Sequence, residues 1–87
     1  MADTVQQKVK DHILNYVRQD IGFDGDIDTK APFDQQGMDS LDKIELIMDL
    51  EDEFGIEISD HVAEPVTCID EAVLAIAPLV LAKKQRA

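Results

Sequence analysis

The residue best placed to do chemistry in this 87-residue chain is Ser40, which lies in the sequence GMDSL at residues 37–41. An acidic, amphipathic segment follows it directly, so this serine is predicted to lie at the start of a helix. A nucleophilic serine needs a general base that an acidic group holds in place. The neighbours of Ser40 are carboxylates, and neither His12 nor His61 occurs in a pattern that would supply the base. The sequence therefore favours a serine that carries a group over one that attacks a substrate.

Two roles for Ser40 stay open from its position alone. Serine is a common helix N-cap, because its hydroxyl accepts a hydrogen bond from a free backbone N–H. The same position suits a phosphodiester, since a helix N-terminus presents unpaired N–H groups and positive potential to an anion. In the second case Asp39 would share the capping or take it over.

Negative charge dominates the chain, whose formal net charge is −11. It is concentrated in residues 39–64, which hold ten acidic residues and one base, Lys43. So acidic a chain is not expected to bind nucleic acid, because phosphate contacts need lysine and arginine. Two interpretations of the segment stay open: a solvated face that keeps the protein in solution, or a surface that steers basic partners towards it.

The candidate metal ligands form no convincing set. Two histidines and one cysteine, Cys68, are too few for a structural zinc site. Residues 24–28 (DGDID) imitate the start of a calcium loop, but Thr29 stands where that loop needs glycine and Gln35 where it needs glutamate. We therefore predict no metal site. The single cysteine also excludes an internal disulfide, which fits a reducing, cytoplasmic environment.

The length of the chain suffices for one small domain, so residues 1–87 are predicted to form a single domain. Residues 1–10 lack the apolar core of a signal peptide. The longest apolar run, residues 72–82, is too short to span a bilayer. No membrane partner is expected.

Helical periodicity runs through most of the chain. Apolar residues recur every four positions over residues 5–21, which predicts a first helix from about residue 3 or 4 to residue 20, ended by Gly22. A second helix is predicted over residues 40–54, with Gly55 as its stop, and a brief third one after residue 59 or 60. A last helix is predicted from residue 69 to about 84, and Pro78 should distort or shorten it. The expected fold is all-α, a small helical bundle of three main helices plus one short helix.

A spacing of 100° per residue divides the second helix into faces. Five apolar side chains form one continuous sector that is predicted to enter the core: Ile44, Leu46, Ile47, Leu50 and Phe54. Leu41 and Met48 lie at the edge of this sector, flanked by Glu45 and Asp52. They either widen the core stripe or form an apolar centre with an acidic rim, which is the anatomy of a protein interface.

The longer pattern around Ser40 resembles the acyl carrier proteins. The similarity rests on Asp-Ser-Leu-Asp-x-x-Glu-Leu at residues 39–46 and Leu-Glu-x-Glu-Phe-Gly-Ile-Glu-Ile at residues 50–58. It is closer to the discrete carriers of bacterial fatty acid synthesis than to peptidyl carriers, which commonly lack this acidic helix. Two departures from the family pattern are Gln36, where a leucine is usual, and Met38, where a small residue is usual.

This resemblance implies a cofactor and a set of residue roles. Ser40 would bear a 4′-phosphopantetheine arm, with Asp39 and Leu41 beside it in the attachment motif. The residues that face partner proteins would be Leu41, Asp42, Glu45, Met48, Glu51 and Asp52. The acyl cavity would be lined by Leu50, Ile58, Val66 and Ile69.

The resemblance also implies a function. The chain would be a monomeric, non-enzymatic carrier that holds acyl intermediates as thioesters for fatty acid or related lipid or polyketide biosynthesis. Its partners would be a phosphopantetheinyl transferase and acyl-transferring, condensing and modifying enzymes with basic docking patches, and its cargo an acyl chain. The residues alone leave one alternative, an acidic helical interaction or cation-binding module without a prosthetic group.

Overall fold

The computed structural model describes the backbone of residues 2–86 and the side chains of residues 4–83. Four α-helices account for most of it: α1 (Ala2–Tyr16), α2 (Ser40–Phe54), α3 (Asp60–Ala63) and α4 (Ile69–Arg86). A π-helical turn, Val17–Ile21, extends α1, and a 3₁₀ turn, Phe33–Gln36, interrupts the long connection to α2. The predicted all-α bundle of three main helices plus one short helix is confirmed.

Helix α1 turns one apolar face inwards because its apolar residues recur every four positions. The buried residues of this face are Val5, Val9, Ile13, Tyr16 and Val17. The helix begins at Ala2, within one or two residues of the predicted start at about residue 3 or 4. Its last turn is π-helical, which the spacing of apolar residues did not indicate. Gly22 ends it at a φ of 79°, an angle at which a side chain would be strained.

The ends of α2 and α3 agree with the residues predicted to stop and cap them. Gly55 ends α2 in the left-handed conformation, and its N–H donates to the Glu51 carbonyl. Ser59 caps α3, since its side chain accepts a hydrogen bond from the N–H of Val62 at 3.4 Å. Lys83 Nζ donates to the Gly55 carbonyl, which ties the last part of α4 to the end of α2.

Pro78 was predicted to distort or shorten the last helix, and since α4 continues past Pro78 to Arg86, the helix is not shortened. Proline withholds the N–H that would otherwise bond the Leu74 carbonyl four residues earlier. Pro78 and Leu74 are both exposed, so water can satisfy that carbonyl while the buried face of the helix stays intact.

Among the described residues, no helix combines the length and the apolar character that crossing a membrane requires.

The long connection between α1 and α2 is tied to the start of α4 by backbone hydrogen bonds. Phe33 N–H donates to the Thr67 carbonyl at 3.0 Å, and Asp70 N–H donates to the Thr29 carbonyl at 2.9 Å. These bonds satisfy backbone groups of a segment that has little regular structure of its own. They hold in place the chain that leads into the start of α2.

Gln36 and Met38, which depart from the family pattern, are both buried within this segment. Gln36 is only 1% exposed, and its Nε2 donates to the Asp28 carbonyl at 2.7 Å. That bond accommodates a polar side chain where leucine is usual, because a buried amide must be hydrogen-bonded. Met38 is buried in the core, where its flexible side chain fills space that a small residue would leave.

The hydrophobic core lies between α1 and α4, which pack along each other, and α2 closes it from a third side. Helix α2 contributes Leu46 and Leu50, both almost completely buried. Together they fix the orientation of α2, and with it the direction in which the first turn of α2 presents its side chains.

Candidate functional site at the start of helix α2

Helix α2 begins with a reciprocal pair of hydrogen bonds between two aspartates. Asp39 is the N-cap, and its Oδ1 accepts from the N–H of Asp42 at 2.9 Å. Asp42 Oδ2 accepts in turn from the N–H of Asp39 at 3.1 Å. This arrangement is a capping box. Of the roles that the sequence left open for Ser40, helix capping therefore belongs to Asp39, and Ser40 is the first helical residue.

Ser40 is exposed, and the capping box satisfies the first turn of α2 without using its hydroxyl. The side chain stands at the positive end of a helix of 15 residues. Chemically, this is an accessible hydroxyl in a place that favours a bound anion.

A cleft of about 450 Å³ opens beside Ser40, between α2 and the chain around α3. Helix α2 contributes Ser40, Lys43, Ile44, Ile47, Met48 and Glu51 to its lining. The opposite wall consists of Ile58, Asp60, Ala63 and Glu64. A cleft of this size can hold a small molecule or part of a flexible chain.

Three apolar side chains of α2 point to solvent, and we call them the α2 apolar patch: Leu41, Ile44 and Met48, which are 61%, 56% and 59% exposed. The placement of Ile44 in the core was wrong. At 100° per residue it lies at one border of the apolar sector, next to Met48, whereas the two fully buried side chains, Leu46 and Leu50, lie towards the opposite border, which faces the core. Leu41 and Met48 are exposed, so they do not widen the buried core stripe.

The acidic residues predicted to face partners differ in what their carboxylates do. Glu45 and Asp52 are exposed beside the α2 apolar patch. The Asp42 carboxylate belongs to the capping box. Glu51 is half-buried, and its Oε2 accepts a hydrogen bond from the N–H of Ile58 at 2.8 Å, so it also holds the loop after α2.

Carboxylates from α2 and from the turn that extends α1 surround Tyr16. Tyr16 is buried, and burial raises the pKa of its phenol above the ordinary value. Four carboxylates act in the same direction: those of Glu45, Asp20, Asp42 and Asp49. Because these groups all disfavour a negative phenolate, the same surface attracts a positive group that approaches from solvent.

The four residues predicted to line an acyl cavity are all buried: Leu50, Ile58, Val66 and Ile69. Ile58 also lines the cleft beside Ser40, and the other three belong to the hydrophobic core. The structure thus brings one of the four to the cleft.

One contact between α1 and α2 was missed at the level of sequence. His12 Nε2 lies 2.5 Å from Asp49 Oδ2, and the His12 ring packs edge-on against Phe54 with centroids 5.9 Å apart. The pairing depends on how the two helices cross, which residue spacing does not reveal. The described residues that line the cleft beside Ser40 include no histidine, so no Ser–His pair forms there.

The fold is that of a small carrier protein. It is similar to the crystal structure of an acyl carrier protein from Thermotoga maritima, with a TM-score of 0.70 and 24% sequence identity. The match covers 94% of this chain and 93% of that one. At this identity the likeness shows the fold.

The family follows from the sequence itself. Residues 11–76 match the family model described as the phosphopantetheine attachment site. The chain therefore belongs to this family, and its cofactor is covalently bound 4′-phosphopantetheine. The resemblance to the acyl carrier proteins is confirmed.

The residues at the start of α2 fit such a group. A phosphodiester linkage needs an accessible hydroxyl, and Ser40 offers one at the positive end of a helix. The neighbouring cleft offers room for part of the arm. Lys43, on the wall of the cleft, adds a cation.

Proposed function

We propose that this chain is a non-enzymatic acyl carrier and that Ser40 bears its 4′-phosphopantetheine arm. Residues 1–87 act as one monomeric carrier domain in fatty acid or related lipid or polyketide biosynthesis. The bound group supplies a terminal thiol that holds acyl cargo as a thioester. The observation that carries the proposal is the Asp39–Asp42 capping box, which leaves the Ser40 hydroxyl exposed beside a cleft.

The residues of the attachment motif have separate tasks in this proposal. Asp39 fixes the first turn of α2, so the position of Ser40 does not depend on the serine's own hydrogen bonds. With a phosphopantetheinyl transferase, the Ser40 oxygen bonds to the pantetheine-side phosphorus of coenzyme A. The pyrophosphate P–O bond breaks, adenosine 3′,5′-bisphosphate leaves, and the hydroxyl gives up its proton. Leu41, the next residue, is exposed and touches the enzyme that approaches Ser40.

The α2 apolar patch and its acidic rim serve as the docking surface for partner enzymes. An apolar centre surrounded by charged residues is typical of protein interfaces. Glu45 and Asp52 attract enzymes that carry basic docking patches and so raise the rate of encounter. Binding that is small in area and largely electrostatic suits a carrier, which must leave each enzyme after delivery.

Attachment through a flexible arm gives the carrier its advantage over free substrate. A tethered group stays at a high local concentration near any enzyme that has docked on the carrier. The cleft beside Ser40 lets the cargo meet the apolar side chain of Ile58. Each methylene that leaves water there contributes roughly 0.8 kcal/mol. To reach Leu50, Val66 and Ile69, a longer chain must part the packed helices.

The intact mass of the protein tests the proposal. The chain has two serines, Ser40 and Ser59, and the second caps α3. After incubation with coenzyme A and a transferase, wild type and Ser59→Ala should gain one phosphopantetheine and Ser40→Ala none. A mass gain by Ser40→Ala would overturn the assignment.

The alternative of an acidic interaction or cation-binding module without a prosthetic group has less support. Membership of the phosphopantetheine attachment-site family speaks against it. Among the side chains that the structure describes, those of residues 4–83, no group of three or more His, Cys, Asp or Glu is placed to hold a metal ion. A wild-type protein that gains no mass with any transferase would restore this alternative.

A further inference from the structure

Lys43 is the one lysine or arginine in the acidic segment 39–64, and it lines the cleft beside Ser40. It follows Ser40 by three positions in the same helix, so the two side chains are neighbours on the helix surface. Lys43 is half-buried, as is typical of a lysine whose stem packs while its charged head reaches polar groups.

The Lys43 side chain crosses the cleft. Its Nζ donates to the backbone carbonyl of Glu64 at 3.2 Å. Glu64 follows the last turn of α3 and belongs to the opposite wall. An ammonium has three donors, and this bond uses one of them. Lys43 can therefore hold an anion near Ser40 and keep its bond to the facing wall.

A phosphodiester on Ser40 would be negatively charged among carboxylates. Glu51, Asp60 and Glu64 line the same cleft. Like charges in one cleft repel one another, and the partial positive charge of the helix N-terminus offsets this only in part. Among the described residues that line the cleft, Lys43 carries the one full positive charge.

We infer that Lys43 is a positioning residue for the phosphopantetheine arm. Its ammonium binds the phosphodiester on Ser40 and keeps its hydrogen bond to the Glu64 carbonyl. The arm is therefore directed into the cleft and away from solvent. This inference rests on the proposed role of Ser40. Lys43 forms and breaks no covalent bond in it.

The experiment compares apo and loaded forms of wild type and of lysine variants. Lys43→Met and Lys43→Gln remove the charge, and Lys43→Arg keeps it. Lys30→Met is the matched control, because Lys30 is exposed and does not line the cleft. Two changes on loading are measured: the change in Tm, and the change in the amide NMR shifts of residues 59–64. Taking loaded minus apo removes any effect of the lost bond between Lys43 and Glu64 on the apo fold.

In wild type, loading should shift the amides of residues 59–64 as well as those around Ser40. Without the Lys43 charge, the shifts in residues 59–64 should disappear and the change in Tm should become less favourable by about 2–4 °C. Lys43→Arg should keep both effects, and Lys30→Met should behave as wild type.

Equal changes in wild type, Lys43→Met and Lys43→Gln would overturn the inference. The intact mass of each loaded sample is taken first, which separates the two claims. If wild type never gains the arm, the role of Ser40 is contradicted, and this inference with it. A protein that gains the arm on Ser40 but shows no effect of Lys43 contradicts this inference alone.

Discussion

The Asp39 carboxylate accepts a hydrogen bond from the Asp42 backbone at 2.9 Å, and the Asp42 carboxylate accepts one from the Asp39 backbone at 3.1 Å. This exchange caps α2 one residue before Ser40. The serine between them is thereby released from the structural task that serines most often have at such positions. In the proposed function, capping and attachment are thus divided between the adjacent residues Asp39 and Ser40.

This division predicts different stabilities for two alanine variants of the apo protein. Asp39→Ala removes the cap and should lower the free energy of unfolding by about 1 kcal/mol. Ser40→Ala replaces an exposed side chain that does not cap, so it should change that energy by no more than about 0.5 kcal/mol. Urea unfolding of both variants measures the difference. Equal losses would mean that Ser40 shares the cap after all.

The acidic rim of the α2 apolar patch should govern how fast a transferase modifies Ser40. Changing both Glu45 and Asp52 to lysine should slow the reaction about tenfold or more at low salt, because electrostatic steering is lost. Glu53→Lys is the control, since Glu53 is exposed on another face of the same helix. The difference in reaction rate between wild type and the double variant should become smaller at about 0.15 M salt, where charges are screened beyond roughly 8 Å. If all three proteins react at one salt-independent rate, steering is not the reason for the acidity.

Truncation of Leu46 should lower stability, whereas truncation of Ile44 should mainly weaken docking. Leu46→Ala leaves a cavity in the core and should cost about 2–5 kcal/mol of stability. Ile44→Ala removes an exposed side chain and should cost less than about 1 kcal/mol, yet weaken docking of the transferase. Unfolding curves together with KM for the carrier separate the two effects. A large loss of stability in Ile44→Ala would return Ile44 to the core.

Much of the fold could be predicted because the helix boundaries are local. The bounds of α2 follow from its apolar period and from Gly55, and the cap at Ser59 from its residue type. The contact between His12 and Asp49 and the hydrogen bond of Gln36 could not be predicted, since both depend on how distant segments pack. Ile44 was misplaced because helix angle alone does not show how much of the apolar sector the neighbouring helices cover.

Repulsion within the acidic segment should make the apo protein sensitive to salt. Ten acidic residues and one base lie in residues 39–64, and such crowding opposes the compact state. Raising sodium chloride from about 10 to 150 mM should therefore raise Tm, because the Debye length falls from about 30 to 8 Å. Magnesium chloride at matched ionic strength separates screening from binding to the folded form, since only binding gives a further, concentration-dependent rise. A constant Tm across both series would remove repulsion as a limit on stability.

The most direct test of the central claim is to locate the added group in the unmutated protein. Trypsin should release residues 31–43 as one fragment, in which Ser40 is the only side chain with a hydroxyl, and residues 44–83, with Ser59, as another. After loading by a transferase, mass spectrometry should find one phosphopantetheine on the fragment 31–43 and none on 44–83. A phosphopantetheine on the fragment 44–83, with 31–43 unmodified, would contradict the account.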